Sequence, residues 1–293
     1  MFKNCLLPAC LGVSALLSAV GGATGTGSLA ASQAGFARPS NDRVPPGVEQ
    51  SEAELKASRL EKAWVTVPFA GHTPLKTFVV YPARAKAPAV ILIHGQYGLS
   101  IWAQGVTNQV AEDGYIAIAP DMVSGLAPGG GATPEAGGDS AAETLLFAMS
   151  LKERTDRIRA VYDYASTLPS WNGKIALLGF TWGGTRVFEA AAVLPRVDAT
   201  VVYHAPSPQE AELYPRIKGP VLGLYAGNDP RANPTVEPTQ ARMRSLGKSY
   251  EFEMFPGINQ GWIRSQLEPT GANYRATVRA WARTLEFLEQ HLK

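Results

Sequence analysis

The segment GFTWGG, residues 179–184, places three glycines around Thr181 where an apolar run ends and a helical pattern begins. Glycines in this arrangement permit the strained strand-to-helix turn called a nucleophile elbow. Such a turn exposes one side chain above a sheet and points backbone amides at a developing oxyanion. The Thr181 hydroxyl is a candidate nucleophile, but an unactivated hydroxyl stays protonated. The sequence therefore predicts an acyl-transfer site that needs a base.

Four histidines are available to supply that base. His291 lies in the last helical turn and His72 in a hairpin turn, so both are expected at the surface. His94 ends an apolar run directly before Gly95, and this pair is interpreted as shaping the oxyanion loop. His204 ends another apolar run and is expected at the ligand end of the sheet. It is the best candidate for a substitute base, with the alternative that it only lines the pocket as a hydrogen-bonded side chain.

The elements that must position these residues alternate along the chain. Two β-rich runs, 63–69 and 75–81, surround a turn and predict an antiparallel hairpin. Short apolar runs without alternation then predict strands buried on both faces, at residues 89–94, 115–120, 174–180, 199–204 and 220–227. Helical periodicity lies between them. The sequence therefore predicts an α/β fold with a doubly wound, mostly parallel sheet, whose ligand binds at the carboxyl ends of the strands.

Composition limits the kind of partner. The chain has 293 residues, with 27 Lys plus Arg against 25 Asp plus Glu and no charged block, which argues against a nucleic-acid partner. A small-molecule ligand is expected instead. The carboxylates of Asp139, Glu143 and Asp156 are scattered and have no histidine or cysteine near them in sequence, so we expect neither a metal site nor a cofactor.

The N-terminal region predicts export. No charged residue lies between Lys3 and Arg38, and the apolar stretch 11–20 is followed by small residues, as in a signal peptide covering residues 1–23. Its cleavage would leave a periplasmic or secreted protein with no membrane span. Lipidation at Cys10 is an alternative. Residues 24–62 are expected to form a linker and a helical stretch, and residues 63–293 a single domain.

Five segments, in order, resemble the dienelactone hydrolase family of α/β-hydrolases over roughly residues 63–292. They are PAVILIHGQYGLS (88–100), GYIAIAPDM (114–122), GFTWGG (179–184), YAGNDPRANP (225–234) and FPGINQGW (255–262). The family cleaves lactones and esters with a cysteine in a GFCxGG elbow, an aspartate after a late strand, and a histidine in a YPGxxHGF-like segment. The resemblance implies the α/β-hydrolase fold and a lactone or carboxylic-ester hydrolase.

The resemblance also implies that the catalytic positions have changed. The nucleophile falls on Thr181, the acid on Asp229 and the base on Gln260, so only Asp229 keeps the residue type of the family. The glutamate of the family's His-Glu-x-x-Gly stretch falls on Gly95. Because a carboxamide takes up no proton at physiological pH, we expect weak or absent triad hydrolysis. The alternative is a non-catalytic pseudoenzyme that binds a small aromatic or apolar ligand or a partner protein.

Positions close to the strand ends predict the surroundings of the nucleophile. The oxyanion loop and pocket wall fall on Gly95, Gln96, Tyr97, Trp182 and Trp262. Trp102 and Tyr203 stand on the same rim, with the alternative that most of these rings pack in the core. Several rings bordering one pocket suit an aromatic or lactone-like ligand.

Overall fold

The structure, a computed structural model, describes residues 44–268 and 270–292, all within one compact unit. The predicted signal peptide and most of the predicted linker lie outside these residues. The strands are β1 (Glu61–Val67), β2 (Leu75–Tyr81), β3 (Ala87–Ile93), β4 (Ile116–Pro120), β5 (Trp171–Phe180), β6 (Ala199–Tyr203), β7 (Val221–Asn228) and β8 (Tyr250–Asn259). The helices are α1 (Val48–Ala57), α2 (Ile101–Glu112), α3 (Asp139–Ala148), α4 (Leu151–Ser166), α5 (Trp182–Val193), α6 (Asn233–Ser245) and α7 (Ala272–Leu292).

All eight strands form one sheet in the order β1-β2-β4-β3-β5-β6-β7-β8. The pairs β1–β2 and β2–β4 are antiparallel and every other pair is parallel. The prediction of a mostly parallel α/β sheet with an N-terminal hairpin is therefore confirmed. It succeeded because central strands such as β3 are buried along their whole length and carry uninterrupted apolar residues.

Helices cover both faces of the sheet. Successive side chains of a strand point to opposite faces, so Ile91 and Ile93 of β3 join the apolar layer that includes α4 and α5. Val90 and Leu92 join the layer that includes α2 and α7. Among the described residues, no helix is both long and apolar enough to cross a membrane.

Two boundaries and one strand differ from the sequence-based expectations. The helix expected around residues 51–62 is α1, which ends at Ala57, and β1 then begins at Glu61. The folded part starts earlier than residue 63, because Val44 is already buried in the apolar layer with α2 and α7. Strand β8 was not predicted, since this edge strand carries Glu251 and Glu253 where a buried strand would carry apolar residues.

Candidate active site

Thr181 occupies the turn between β5 and α5. Its backbone has φ 52° and ψ −111°, which is strained for a β-branched residue. A Cβ on Gly183 would collide with the carbonyl oxygens of Ile93 and His94, so only glycine lets the turn pack this closely on β3. The amide of Thr181 donates to the carbonyl oxygen of Tyr203, 3.0 Å away. The elbow is thus fixed between β3 and β6, with the threonine side chain projecting from it.

His204 follows β6 and reaches the threonine. Phe180 pairs with Tyr203 in the parallel β5–β6 register, so the residues after them, Thr181 and His204, are neighbours at the strand ends. The Nε2 atom of His204 lies 3.2 Å from Oγ1 of Thr181. The amide of His204 donates to the carbonyl oxygen of Leu224, at 2.8 Å, which anchors it to β7. The candidate nucleophile and the substitute base are therefore in hydrogen-bond contact.

Burial determines the charge of that imidazole. His204 is fully buried, and burial first and the positive charge of Arg231 second lower its pKa to about 3. Its Nδ1 atom has no hydrogen-bond partner. At neutral pH the ring is therefore uncharged. With the proton on Nδ1, Nε2 is free to accept the hydroxyl proton of Thr181.

The two tryptophans expected at the pocket wall lie behind it, in the core. Trp262 contacts His204 edge to face, with ring centroids 5.0 Å apart, and shields the imidazole from water. Trp182 stacks on His94 at 6.1 Å on the other side of the elbow. Both indole rings are almost completely buried. They shape the site indirectly, because they hold the two histidines and do not face the ligand space.

Asp229 and Gln260 occupy the acid and base positions of the family but are not connected to the threonine. One carboxylate oxygen of Asp229 accepts the amides of Arg231, at 3.0 Å, and Ala232, at 3.2 Å, so it caps the loop after β7. The other oxygen is buried without a partner, and His204 Nδ1 is likewise unpartnered. Gln260 is exposed. The acid–base–nucleophile chain expected from the family pattern is therefore interrupted at residue 260.

His94 is occupied by structural contacts. Its Nδ1 lies 2.8 Å from the carbonyl oxygen of Gly95, and its Nε2 accepts the amide of Met122 at 3.0 Å. Burial lowers the pKa of His94, which keeps the ring neutral and suited to one donated and one accepted bond. His94 therefore fixes the backbone at Gly95 and the start of the loop after β4.

A cavity of about 230 Å³ opens over the threonine. It brings together five further residues predicted from the sequence, Gly95, Gln96, Tyr97, Trp102 and Gln260. Its full lining is Gly95, Gln96, Tyr97, Trp102, Thr181, Gln260, Gly261, Arg264 and Ser265. A Cβ on Gly95 would lie 3.8 Å from Thr181 Oγ1, so the missing side chain leaves free space beside the hydroxyl.

Arg264 is a site residue that the sequence reasoning missed. The Cζ atom of its guanidinium lies 4.6 Å from the ring centroid of Tyr97 and 5.1 Å from that of Trp102, so the two rings hold the cation at the cavity. Burial lowers the pKa of the Arg264 guanidinium from its usual value. The available signal was its position, four residues after Gln260 in the segment that follows β8.

The described part of the chain brings together no group of three His, Cys, Asp or Glu side chains able to hold a metal ion. The groups around Thr181 are its own hydroxyl, the neutral imidazole of His204, backbone amides and the guanidinium of Arg264. Backbone amides are available in the right place, because Trp182 is the first residue of α5 and its N–H has no partner within the helix.

Comparisons with known proteins show the family and the fold of the chain. A Saccharolobus solfataricus protein is 27% identical over 248 residues, which cover 74% of this chain and 94% of the relative. The carboxymethylenebutenolidase of Pseudomonas putida is 29% identical over 161 residues, or 54% of this chain and 67% of that enzyme. The solved dienelactone hydrolase of Anabaena variabilis has a TM-score of 0.61 at 20% identity and covers 80% of this chain and 100% of that one. The model of the dienelactone hydrolase family matches residues 75–292, so the chain belongs to that family.

Proposed function

We propose that the protein hydrolyses small carboxylic esters or lactones, with Thr181 as the nucleophile and His204 as the general base. Membership of the dienelactone hydrolase family supports hydrolase chemistry. The observation that carries the proposal is the 3.2 Å contact between His204 Nε2 and Thr181 Oγ1 at a strained elbow. Strain of this kind persists where the surrounding structure enforces it, and it concentrates at functional sites.

The proposed reaction runs in two steps. Oγ1 of Thr181 attacks the carbonyl carbon while Nε2 of His204 takes the hydroxyl proton, and the amides of Gln96 and Trp182 stabilise the oxyanion. The carbon–oxygen bond to the leaving group breaks, and the leaving oxygen takes the proton from Nε2. Water then attacks the carbonyl carbon of the threonine ester and gives a proton to the same nitrogen. The bond between that carbon and Oγ1 breaks, Oγ1 takes the proton back from Nε2, and the acid leaves with Thr181 and a neutral His204 restored.

The imidazole is a weaker base here than in an intact triad. In a triad a carboxylate stabilises the imidazolium that forms during attack. Asp229 makes no hydrogen bond to His204, and burial holds the pKa of His204 near 3. Turnover is therefore slow compared with an enzyme that has all three groups, because forming the buried imidazolium raises the barrier.

Arg264 indicates the class of substrate. A desolvated guanidinium beside the candidate nucleophile favours a substrate with an anionic group, since a carboxylate can pair with it directly. Tyr97 and Trp102 line the same cavity and hold the guanidinium in place through their rings. The preferred substrate in this proposal is a small ester or lactone that carries a carboxylate, sized for a cavity of about 230 Å³.

Binding without turnover is the second candidate function. It is favoured by Gln260, which stands at the base position of the family and accepts no proton. In that case the cavity would hold the anionic ligand and the Thr181–His204 contact would serve only to order the elbow.

One experiment separates the two functions. Purified protein is screened with esters and lactones with and without a carboxylate, and the acyl-threonine is sought by mass spectrometry after rapid acid quench. Thr181→Ala should abolish turnover and His204→Gln should lower it at least about 100-fold. His72→Ala, which changes an exposed turn histidine, should leave turnover unchanged. Turnover that survives Thr181→Ala, or the absence of turnover and of adduct on every substrate, would overturn the hydrolase assignment.

We also propose that the protein is exported. The uncharged apolar segment after Lys3 supports export, because it has the layout of a signal peptide. Both cysteines of the chain, Cys5 and Cys10, lie in the part that cleavage would remove. A threonine nucleophile suits an oxidising compartment, because a hydroxyl does not follow the oxidation steps open to a thiol.

A further inference from the structure

Residues 44–51, which we call the N-terminal strap, contact residues that line the cavity. The strap consists of the four residues before α1 and the first turn of that helix. All of its residues except Val48 and Glu49 are buried, although the composition before residue 48 is that of a linker. A segment packed in this way is part of the fold rather than a tether.

The strap binds the segment that carries Arg264. The amide of Val48 donates to the carbonyl oxygen of Arg264 at 2.9 Å. The side-chain amide of Gln266 donates to the carbonyl oxygen of Pro45 at 3.0 Å, and that of Gln50 donates to the carbonyl oxygen of Gln266 at 3.4 Å. These three bonds join positions more than 200 residues apart and restrain the backbone on which the Arg264 side chain stands.

The strap also binds the opposite wall of the cavity. The indole N–H of Trp102 donates to the carbonyl oxygen of Pro46 at 3.0 Å, inside the protein. A Cβ on Gly105 of α2 would lie 2.8 Å from Cγ of Pro46, so the helix and the strap are in close contact. One short segment therefore connects Trp102 with the backbone of Arg264, the two residues whose ring and cation face each other at the cavity.

We propose that the N-terminal strap is a positioning element that holds the Arg264 guanidinium over Tyr97 and Trp102 and thereby sets the affinity of the cavity for anionic ligands. The proposal rests on the proposed role of Arg264 in binding substrate. It assigns no chemistry to the strap itself, which acts through the backbone of residues 264–266 and through Trp102.

Gly47 provides a selective probe of this role. Its φ of −72° is open to any residue, so alanine meets no backbone strain there. An added Cβ would lie 2.6 Å from Oε1 of Gln50, 3.1 Å from the carbonyl oxygen of Arg264 and 3.2 Å from Cβ of Gln266. Gly47→Ala should therefore push the strap away from the Arg264 backbone. Gln266→Met, which removes the donor to Pro45, is an independent second variant.

The test compares these variants, in the full chain, with Leu267→Ala, which changes an exposed neighbour of Gln266. Benzoate is the probe of the anion site, titrated by intrinsic tryptophan fluorescence. An ester with a carboxylate and its neutral methyl ester are the substrates. We expect Gly47→Ala and Gln266→Met to raise the benzoate Kd and the KM for the anionic ester by about 5- to 10-fold. The kcat for the anionic ester and the kcat/KM for the neutral ester should change little. Leu267→Ala should match the wild type.

Two outcomes would overturn the positioning role. In the first, the neutral and anionic esters lose activity in parallel. In the second, Gly47→Ala raises the benzoate Kd by the same factor in a protein that already carries Arg264→Gln. If the strap acts through Arg264, its displacement should have no further effect once the guanidinium is gone. A wild-type protein that binds benzoate but cleaves no ester would contradict the proposed hydrolysis and leave the benzoate comparison as the test of the strap. A wild-type protein that does not bind benzoate would refute the strap proposal itself.

Discussion

Nε2 of His204 lies 3.2 Å from Oγ1 of Thr181, and the two residues follow adjacent parallel strands. The family pattern places the base in the segment after β8, where this chain has Gln260. Among the described residues, the only imidazole in contact with Thr181 is that of His204, which directly follows β6. In the proposed reaction the base therefore stands at a different strand end from that of the family pattern.

The first prediction ranks the two groups that could assist Thr181. His204→Gln should lower kcat/KM at least about 100-fold, because a positioned general base contributes on that order or more. Asp229→Asn should lower it less than about 10-fold, because the side-chain oxygen that caps the loop is kept and Asp229 makes no bond to His204. Steady-state kinetics on one ester measure both. An equal or larger loss in Asp229→Asn would show that the carboxylate, and not the imidazole, controls the reaction.

The second prediction concerns a change of nucleophile. The sequence alone predicts that Thr181→Cys gains little unless Gln260→His is added, since the base position lacks an imidazole. The structure already places an imidazole at the elbow, so Thr181→Cys alone should raise ester turnover and react with iodoacetamide. Gln260→His alone is the control and should gain little. A gain that appears only in the double variant would mean that His204 does not act as the base.

The third prediction is a pH profile. Because burial lowers the pKa of His204 to about 3, the ring stays neutral well below the usual histidine range near 6.5. We expect kcat/KM to stay level down to about pH 5, whereas a base with an ordinary pKa would lose activity below about 6.5. A fall centred near pH 6.5 that disappears in His204→Gln would contradict the buried, neutral base.

The lowered pKa of His204 also makes the stability of the folded protein depend on pH. A histidine whose folded pKa lies below its unfolded pKa favours folding above the unfolded pKa, near 6.5, and loses this contribution as the pH falls toward 3. The melting temperature of the wild type should therefore fall between pH 7 and pH 4.5, and His204→Gln should fall less. His94, whose pKa burial also lowers, contributes in the same direction and remains in both proteins.

The fourth prediction concerns the helix behind the elbow. Glu189 of α5 is buried, and its carboxylate accepts two bonds from Arg154, at 2.7 and 2.9 Å, and lies 3.3 Å from Arg186. Glu189→Gln leaves two largely buried guanidinium groups with only the more distant carboxylate of Glu210, 4.0 Å from Arg154, as a counter-charge. The free energy of unfolding should therefore fall by about 3 kcal/mol in urea titrations. Lys152→Ala, which breaks an exposed ion pair with Asp156, should leave it nearly unchanged.

The fifth prediction tests export. The mass of the protein recovered from the periplasm or the medium should correspond to a chain that starts after residue 23 and carries no cysteine. An acylated chain beginning at Cys10 would support lipidation instead. An intact Met1 in the cytoplasm would contradict export.

Parts of the fold were predictable because local sequence determines them. The strand ending at Phe180, the glycines around Thr181 and the helical run after them predicted the elbow, since each is a pattern within a few residues. The position of His204 at the end of an apolar run predicts that it lies at the ligand end of the sheet, where it can act as a substitute base. Its contact with Thr181 was not predictable from local sequence, because it depends on which strands are neighbours in the sheet.

The remaining features depend on distant parts of the chain. Arg264 lines the cavity from a segment whose backbone is hydrogen-bonded to the N-terminal strap, more than 200 residues away, and nothing in its local sequence shows this. Trp182 and Trp262 flank the motifs, but strand and helix directions turn their rings into the core. Asp229 keeps the residue type of the family, yet its contacts are those of a loop cap.

The pairing of Phe180 with Tyr203 separates the proposed proton transfer from the loops of the protein. In the family pattern, nucleophile and base meet only if the loop that begins directly after β8 lies over the elbow. Here the distance between hydroxyl and imidazole follows from the spacing of two adjacent hydrogen-bonded strands in the middle of the sheet, about 4.8 Å. In the proposed reaction the side chain of Gln260 is therefore free of catalytic constraint. It can change to alter which ligands enter, as long as Trp262 keeps its contact with His204.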